Sequence, residues 1–156
     1  MTRSEAHVTD LGQLFEDLVR VETRLYNAVD ARLRAAHGVS RGEYGLMRII
    51  GARSTCRVYD IAHEVNITVG AASKAVDRLV AAGWCRRTSN PADGRSSLLA
   101  LTATGSRICA KATPTFEAAL SEWIDGVVPR RSLDQLGRTL NTLRLRLEAE
   151  DAGGFR

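Results

Sequence analysis

Two helical patterns separated by only four residues constrain this chain more than any other feature. Residues 58–64 (VYDIAHE) put Ile61 and Ala62 on an inner face continued by Val65, and residues 69–82 repeat apolar side chains at Val69, Ala72, Val76 and Leu79. Steps of three and four place such residues on one stripe of a helix. Between the two patterns stand Asn66, which tolerates the left-handed backbone that ends a helix, and Thr68, whose hydroxyl can accept a free amide at the start of the next. Gly83 follows as a stop signal. The spacing is that of a helix-turn-helix.

What flanks this pair sets the rest of the architecture. The stretch RRTSNPADGRSSLLALTATG, residues 86–105, predicts two strands, 84–88 and 97–102, around a turn at Asp93-Gly94. Thr102 is placed to cap a helix over about 103–125, which Pro114 should kink or interrupt. Upstream, Leu11, Leu14, Leu18, Val21, Leu25, Val29 and Leu33 mark one long helix over 10–36, with Asp10 at its start and Gly38 at its end. Ser40 to Glu43 is a capping box leading into a helix over 44–50. After Pro129, Ser132 to Gln135 reads as a second capping box, and Leu133, Leu136, Leu140, Leu143 and Leu147 form a strict 3-4-3-4 seam.

The expected fold is therefore mainly α with a small β-hairpin wing, in one domain over 1–156. A winged helix-turn-helix over 40–105 is flanked by N- and C-terminal dimerisation helices over 10–36 and 106–148. The leucine seam, together with Leu11, Leu14 and Leu18, suits either packing within the chain or a dimer interface. Two long striped helices exceed what a small central domain needs to cover, which favours the dimer.

Charge is unevenly placed. Residues 1–66 are neutral, residues 112–156 carry −1, and residues 67–111 carry +5 from seven Lys or Arg against Asp77 and Asp93. A clustered surplus attracts polyanions. It falls on the second helix of the pair, whose polar face carries Gly70, Ser73, Lys74, Asp77 and Ala81 with Arg78 at its margin, and on the hairpin with Arg86, Arg87 and Arg95. A solvated amphipathic helix has the same pattern, so the face alone does not decide.

The order of these pieces resembles the MarR family of bacterial transcriptional regulators. The resemblance rests on the apolar-Ala pair Ile61-Ala62, a Ser/Thr-capped helix ending in Val76-Asp77-Arg78-Leu79, the wing pattern Arg87, Asp93, Arg95, and Leu101-Thr102-Ala103-Thr104-Gly105. It implies a homodimer whose recognition helices enter adjacent major grooves of a pseudo-palindromic double-stranded DNA operator while the wings reach minor grooves. Carried over by position, Arg95 is the wing-tip arginine and Asp93 orients it or pairs with a nearby arginine. Thr68, Gly70, Ser73, Lys74 and Arg78 lie along the recognition helix, and Arg86 and Arg87 at the base of the wing. The resemblance further implies a repressor released by a small aromatic or anionic effector, near which Tyr44, Arg48, Arg107 and Lys111 would fall; interhelix packing is the other reading of those four.

Other classes find less support. His7, His37 and His63 are scattered, and Ile67 stands where a zincin helix would need its second histidine, so neither catalysis nor a metal or cofactor site is expected. Cys56, Cys85 and Cys109 lack metal-ligand spacing. Cys85 leaves open a redox-responsive regulator, if Arg86 and Arg87 lower its pKa; a winged-helix protein-interaction module is a further alternative. No apolar run reaches membrane-spanning length and the N-terminus lacks an apolar leader, so a cytoplasmic protein is expected.

Overall fold

The computed structural model describes residues 10–153. In chain order they form α1 (Leu11–His37), α2 (Arg41–Ala52), α3 (Val58–Glu64), α4 (Val69–Ala81), β1 (Cys85–Ser89), β2 (Ser97–Leu101), α5 (Ala103–Ile124) and α6 (Arg130–Gly153). They make two compact units, the first ending at Ala119 and the second beginning at Leu120.

In the first unit the helix ends are set by local hydrogen bonds that the sequence announces. Asp10 Oδ1 accepts the Gly12 amide at 2.9 Å, and α1 stops at Gly38, whose φ of 67° is left-handed. Ser40 and Glu43 complete their box, with the Glu43 amide donating to Ser40 Oγ at 3.1 Å and the Ser40 amide to the Glu43 carboxylate at 2.8 Å. Because the box satisfies the first turn, α2 begins at Arg41, three residues earlier than the apolar pattern suggests. Asn66 takes φ 53°, and Thr68 Oγ accepts the Ala71 amide at 3.2 Å. At the far end of α4 the Trp84 amide reaches the Leu79 carbonyl and the Gly83 amide the Val80 carbonyl, both at 2.9 Å, a Schellman closure around left-handed Gly83.

The core of this unit is built from Val29, Leu33, Val39, Tyr44, Met47, Ile50, Ile61, Ala72, Val76, Leu79 and Leu99. The wing is tied into it along β2. β1 and β2 pair antiparallel from Cys85↔Leu101 to Ser89↔Ser97, and the Leu99 amide donates to the Cys56 carbonyl at 2.8 Å, so the α2–α3 loop edges the hairpin. Asp30 joins α1 to α2: its carboxylate accepts Arg34 Nε and the Arg41 amide, each at 2.7 Å.

Three expectations are corrected. Pro114 does not interrupt α5, which runs through it. Proline removes one backbone donor, but the residues around it are held from outside the helix. Thr113 Oγ accepts from Tyr44 Oη at 3.0 Å and donates to the Cys109 carbonyl at 2.9 Å, His37 Nε2 meets Thr115 Oγ at 2.8 Å, and Phe116 packs on the Tyr44 ring 5.1 Å away. Val69 is not part of the buried stripe of α4; it is 51% exposed at the first position of the helix, and burial begins at Ala72. Ser132 does not cap the last helix, which already begins at Arg130. The Pro129 carbonyl accepts the Ser132 and Leu133 amides at 2.8 and 3.1 Å, so Ser132 lies within the first turn.

In the second unit α6 carries Leu136, Leu140, Leu143 and Leu147 exposed in one row, with Leu133 half-buried. Arg144 pairs with Glu148 at 2.7 Å and Arg146 with Glu150 at 3.6 Å along the helix.

Gly105 explains the glycine of the L-T-x-x-G element. A Cβ built there falls on the backbone carbonyl of Trp84, which cannot move without breaking the closure of α4. Gly105→Ala is expected to cost about 2–3 kcal/mol in urea unfolding, with no loss for Gly126→Ala, where the space is open. Asp30 supplies a pH signature. The Arg34 guanidinium, and after it the Arg41 amide, hold its carboxyl below the usual carboxylate range. That stabilisation is present above the ordinary carboxylate pKa and is lost as pH falls through the lowered one. Asp30→Asn is expected to cost about 1 kcal/mol at pH 7, with its gap to the wild type narrowing as pH falls below the ordinary carboxylate range, as urea midpoints across that range will read.

Candidate nucleic-acid interface

The face of α4 turned away from the core is built from its first residue onward. Val69, Gly70, Ala71, Lys74, Asp77, Arg78 and Ala81 are exposed and Ser73 is half-buried, while Ala72, Val76 and Leu79 anchor the opposite stripe. Lys74 and Arg78 stand one turn apart, and a cation pair at that spacing can meet phosphates or guanine edges together.

The hairpin is locked to this helix by one side chain. Arg87, on β1, donates to Asp77 Oδ1 at 2.8 Å, to Ser73 Oγ at 3.3 Å and to Ser97 Oγ at 3.2 Å. A planar guanidinium has the fixed fork needed to join a helix and two strands at once. Arg87 and Ser73 thus face each other within the protein, whereas Arg86, the next position on the strand, points outward and is exposed.

The tip differs from the expected turn. Asp93-Gly94 is not a two-residue hairpin turn, and Gly94 is not left-handed. Residues 90–96 form a loop of two successive side-chain-to-backbone turns. Asn90 Oδ1 accepts the Ala92 amide and Asp93 Oδ1 the Arg95 amide, both at 3.0 Å, and Asn90 Nδ2 donates to Ser96 Oγ at 2.9 Å. Asn and Asp favour this local bonding over strand pairing, which is why the ladder stops at Ser89. Asp93 therefore holds the backbone of Arg95. The exposed Arg95 guanidinium has no carboxylate partner among the described residues.

A second concave region lies beside α2. An open cleft of about 620 Å³ is lined by Arg41, Tyr44, Gly45, Arg48, Ile49, Ala52, Arg53, Glu64 and Val65. Arg41 stands 5.7 Å over the Tyr26 ring and 5.6 Å over Phe116; Arg48 stands 5.9 Å over Tyr44 and 5.7 Å over Phe116. Arg53 is paired with Glu64 at 2.8 Å. Of the four residues singled out for an effector, Tyr44 and Arg48 line this cleft. Arg107 and Lys111 do not; they are exposed on α5, and Arg107 donates to Thr104 at 3.2 Å. Arg41 and Phe116 were not legible as a pair, since one reads locally as part of a capping box and the other follows a proline.

Comparison with known proteins decides the relationship. Residues 39–97 match the model of the MarR family, the segment running from α2 to the first residue of β2. The match with the MarR family covers that segment. It is 26% identical over 102 residues to the multiple antibiotic resistance protein MarR of Escherichia coli K12, covering 65% of this chain and 68% of that one. Its fold is similar to that of Sco3205, a MarR family transcriptional regulator of Streptomyces coelicolor solved in complex with DNA, with TM-score 0.79 and 22% identity over 90% of this chain and 91% of that chain. It is likewise similar to AbsC, a MarR family transcriptional regulator of the same organism, with TM-score 0.80 and 20% identity over 91% and 97%.

The surroundings of the cysteines do not favour the redox-responsive reading of Cys85. Cys85 is buried, and burial pushes its thiol up; the Ala100 backbone and Arg87 oppose that without reversing it, and Arg87 is already paired with Asp77. Burial pushes the Cys56 and Cys109 thiols up as well. A high-pKa, covered thiol is a poor nucleophile. Iodoacetamide at pH 7.5 is expected to label Cys85 in the native chain at less than about a tenth of its rate in urea, read by mass spectrometry of the Cys85 peptide.

Proposed function

We propose that this chain is a double-stranded-DNA-binding transcriptional regulator that acts as a homodimer on a pseudo-palindromic operator, as a repressor released by a small aromatic or anionic effector. The observation that carries the reading is the joining of the α4 face and the wing into one cationic surface by Arg87, with Lys74, Arg78, Arg86 and Arg95 left free on it. Relatives of the same fold, Sco3205 of Streptomyces coelicolor and FabT of Streptococcus pneumoniae, are solved in complex with DNA, and a MarR mutant of Escherichia coli is solved with operator DNA.

Each residue then has a role set by its surroundings. Lys74 and Arg78 meet phosphates or guanine edges in the major groove, and Arg86 a flanking phosphate. Arg95 enters a minor groove, where a narrow groove strengthens the negative potential around its guanidinium. Asp93 fixes the backbone that presents it. Thr68 caps the helix at the end nearest the groove floor, while Ser73 and Arg87 set the angle between wing and helix. Phosphate contacts position the protein, and the spacing of two half-sites supplies specificity that one helix cannot.

The dimer reading is supported by leucines left uncovered in the single chain. Leu11 is 76% exposed, and Leu14, Leu18, Leu136, Leu140, Leu143 and Leu147 are exposed as well. Apolar rows of this length are covered by a partner in soluble proteins. For the effector, Arg41 and Arg48 put two cations in one cleft over the buried Tyr44 ring, a chemistry suited to an anion. This reading makes the protein a non-catalytic one of the cytoplasm.

The test is DNA binding by the full-length chain. Operator fragments recovered by genomic selection are expected to bind with a log–log salt slope of about −0.9 per phosphate contacted. Arg95→Ala is expected to weaken specific binding about 10- to 100-fold while sedimentation still reports a dimer. A salt slope near zero, or unchanged affinity for Arg95→Ala, removes the reading.

A further inference from the structure

We propose that the first turn of α4 reads base edges by close apolar approach, with Val69 packing on a thymine methyl group and Gly70 admitting the groove floor to the bare helix backbone. The proposal rests on the DNA-binding reading and names how part of that surface discriminates between bases.

Val69 is the first observation. Its three-residue step to Ala72 assigns it to the core stripe, yet it is 51% exposed, and Ile67 just before it is exposed too. A β-branched residue in the first turn of a helix contributes little to helix stability, and here it contributes little to the core. It stands on the same helix as the free cations Lys74 and Arg78, so this apolar spot has a positive rim. DNA is the partner that such a combination fits: phosphates meet the rim, and the C5-methyl of thymine is the feature of the major groove recognised by apolar contact.

Gly70 is the second. The glycines at 38 and 83 are left-handed, and Gly105 lies against a backbone carbonyl, so the fold itself requires those three. Gly70 is different. It sits inside α4 without a left-handed backbone, and a Cβ built there meets nothing within 4 Å. Glycine at a helical position destabilises relative to alanine. The folded chain therefore gains nothing from the missing side chain, whereas a second molecule approaching the backbone does. Ala71 continues the small surface, and none of Val69, Gly70 and Ala71 carries a side-chain hydrogen-bonding group. This turn discriminates by shape and methyl contact.

The test uses the full-length protein and an operator recovered by genomic selection, with each thymine replaced in turn by deoxyuridine, which removes only the methyl group. The wild type is expected to lose about threefold to fivefold in affinity at one or two positions per half-site. Val69→Ala should lose a similar factor on the unmodified operator and nothing further on the deoxyuridine one. Gly70→Ala should melt no lower than the wild type and bind the operator at least about tenfold more weakly. Equal affinity for thymine and deoxyuridine at every position, or full affinity with Gly70→Ala, overturns the proposal while leaving the DNA-binding reading intact. A wild type that binds no selected fragment removes both.

Discussion

At the end of α4 a single threonine ties three elements together. Thr102 Oγ donates to the Gly83 carbonyl at 2.7 Å and accepts the Gly105 amide at 3.0 Å, while its own amide donates to the Trp84 carbonyl at 3.0 Å. The left-handed Gly83 turns the chain out of α4, Cys85 starts the wing just beyond it, and Thr102 begins α5 where the wing returns. One hydroxyl thus satisfies a carbonyl left over from one helix and an amide left over from the next. Gly105 lets the two backbones approach closely enough for this to happen. Without that junction neither the angle of the wing nor the path of α5 would be defined.

The interface inherits its rigidity from this junction and from the Arg87 fork. The junction fixes the base of β1, and Arg87 then pins the strand sideways to Ser73 and Asp77 on α4. Exposed ion pairs contribute little to stability, and this one has Asp77 largely in solvent. Its weight lies in geometry: it keeps the exposed arginine at the tip and the exposed cations on α4 at one separation. Cys85, two positions before Arg87 on the same strand, is buried.

Much of this was legible because it is local. Asp10, Gly38, Ser40, Glu43, Asn66, Thr68 and Gly83 each act within four residues of themselves, and each does in the structure what its type and spacing predict. The misses involve either partners distant in sequence or a contest between competing local turns. Pro114 sits in an unbroken helix because Tyr44 and His37, some seventy residues away, hold its neighbours. Val69 has the period of a core residue but lies beyond the part of α4 that its neighbours cover. Asn90 and Asp93 compete successfully for the backbone that a tighter turn would have used, and a turn dipeptide alone does not reveal that contest.

What the sequence by itself determined is the set of elements, most of their caps, the family they resemble, and the concentration of charge on α4 and the wing. These follow from periodicity, from side chains that bond to nearby backbone, and from counting residues. Only the tertiary structure decided which of the charged residues are free. Arg87 looks like Arg86 and Arg95 in the sequence, yet its guanidinium is spent inside the protein while Arg95 is presented on a loop held by Asp93. The physical reason is that an ion pair between a helix and a strand depends on where two elements meet in space, and that meeting is fixed by the Gly83–Thr102 junction rather than by anything adjacent to Arg87 in the chain.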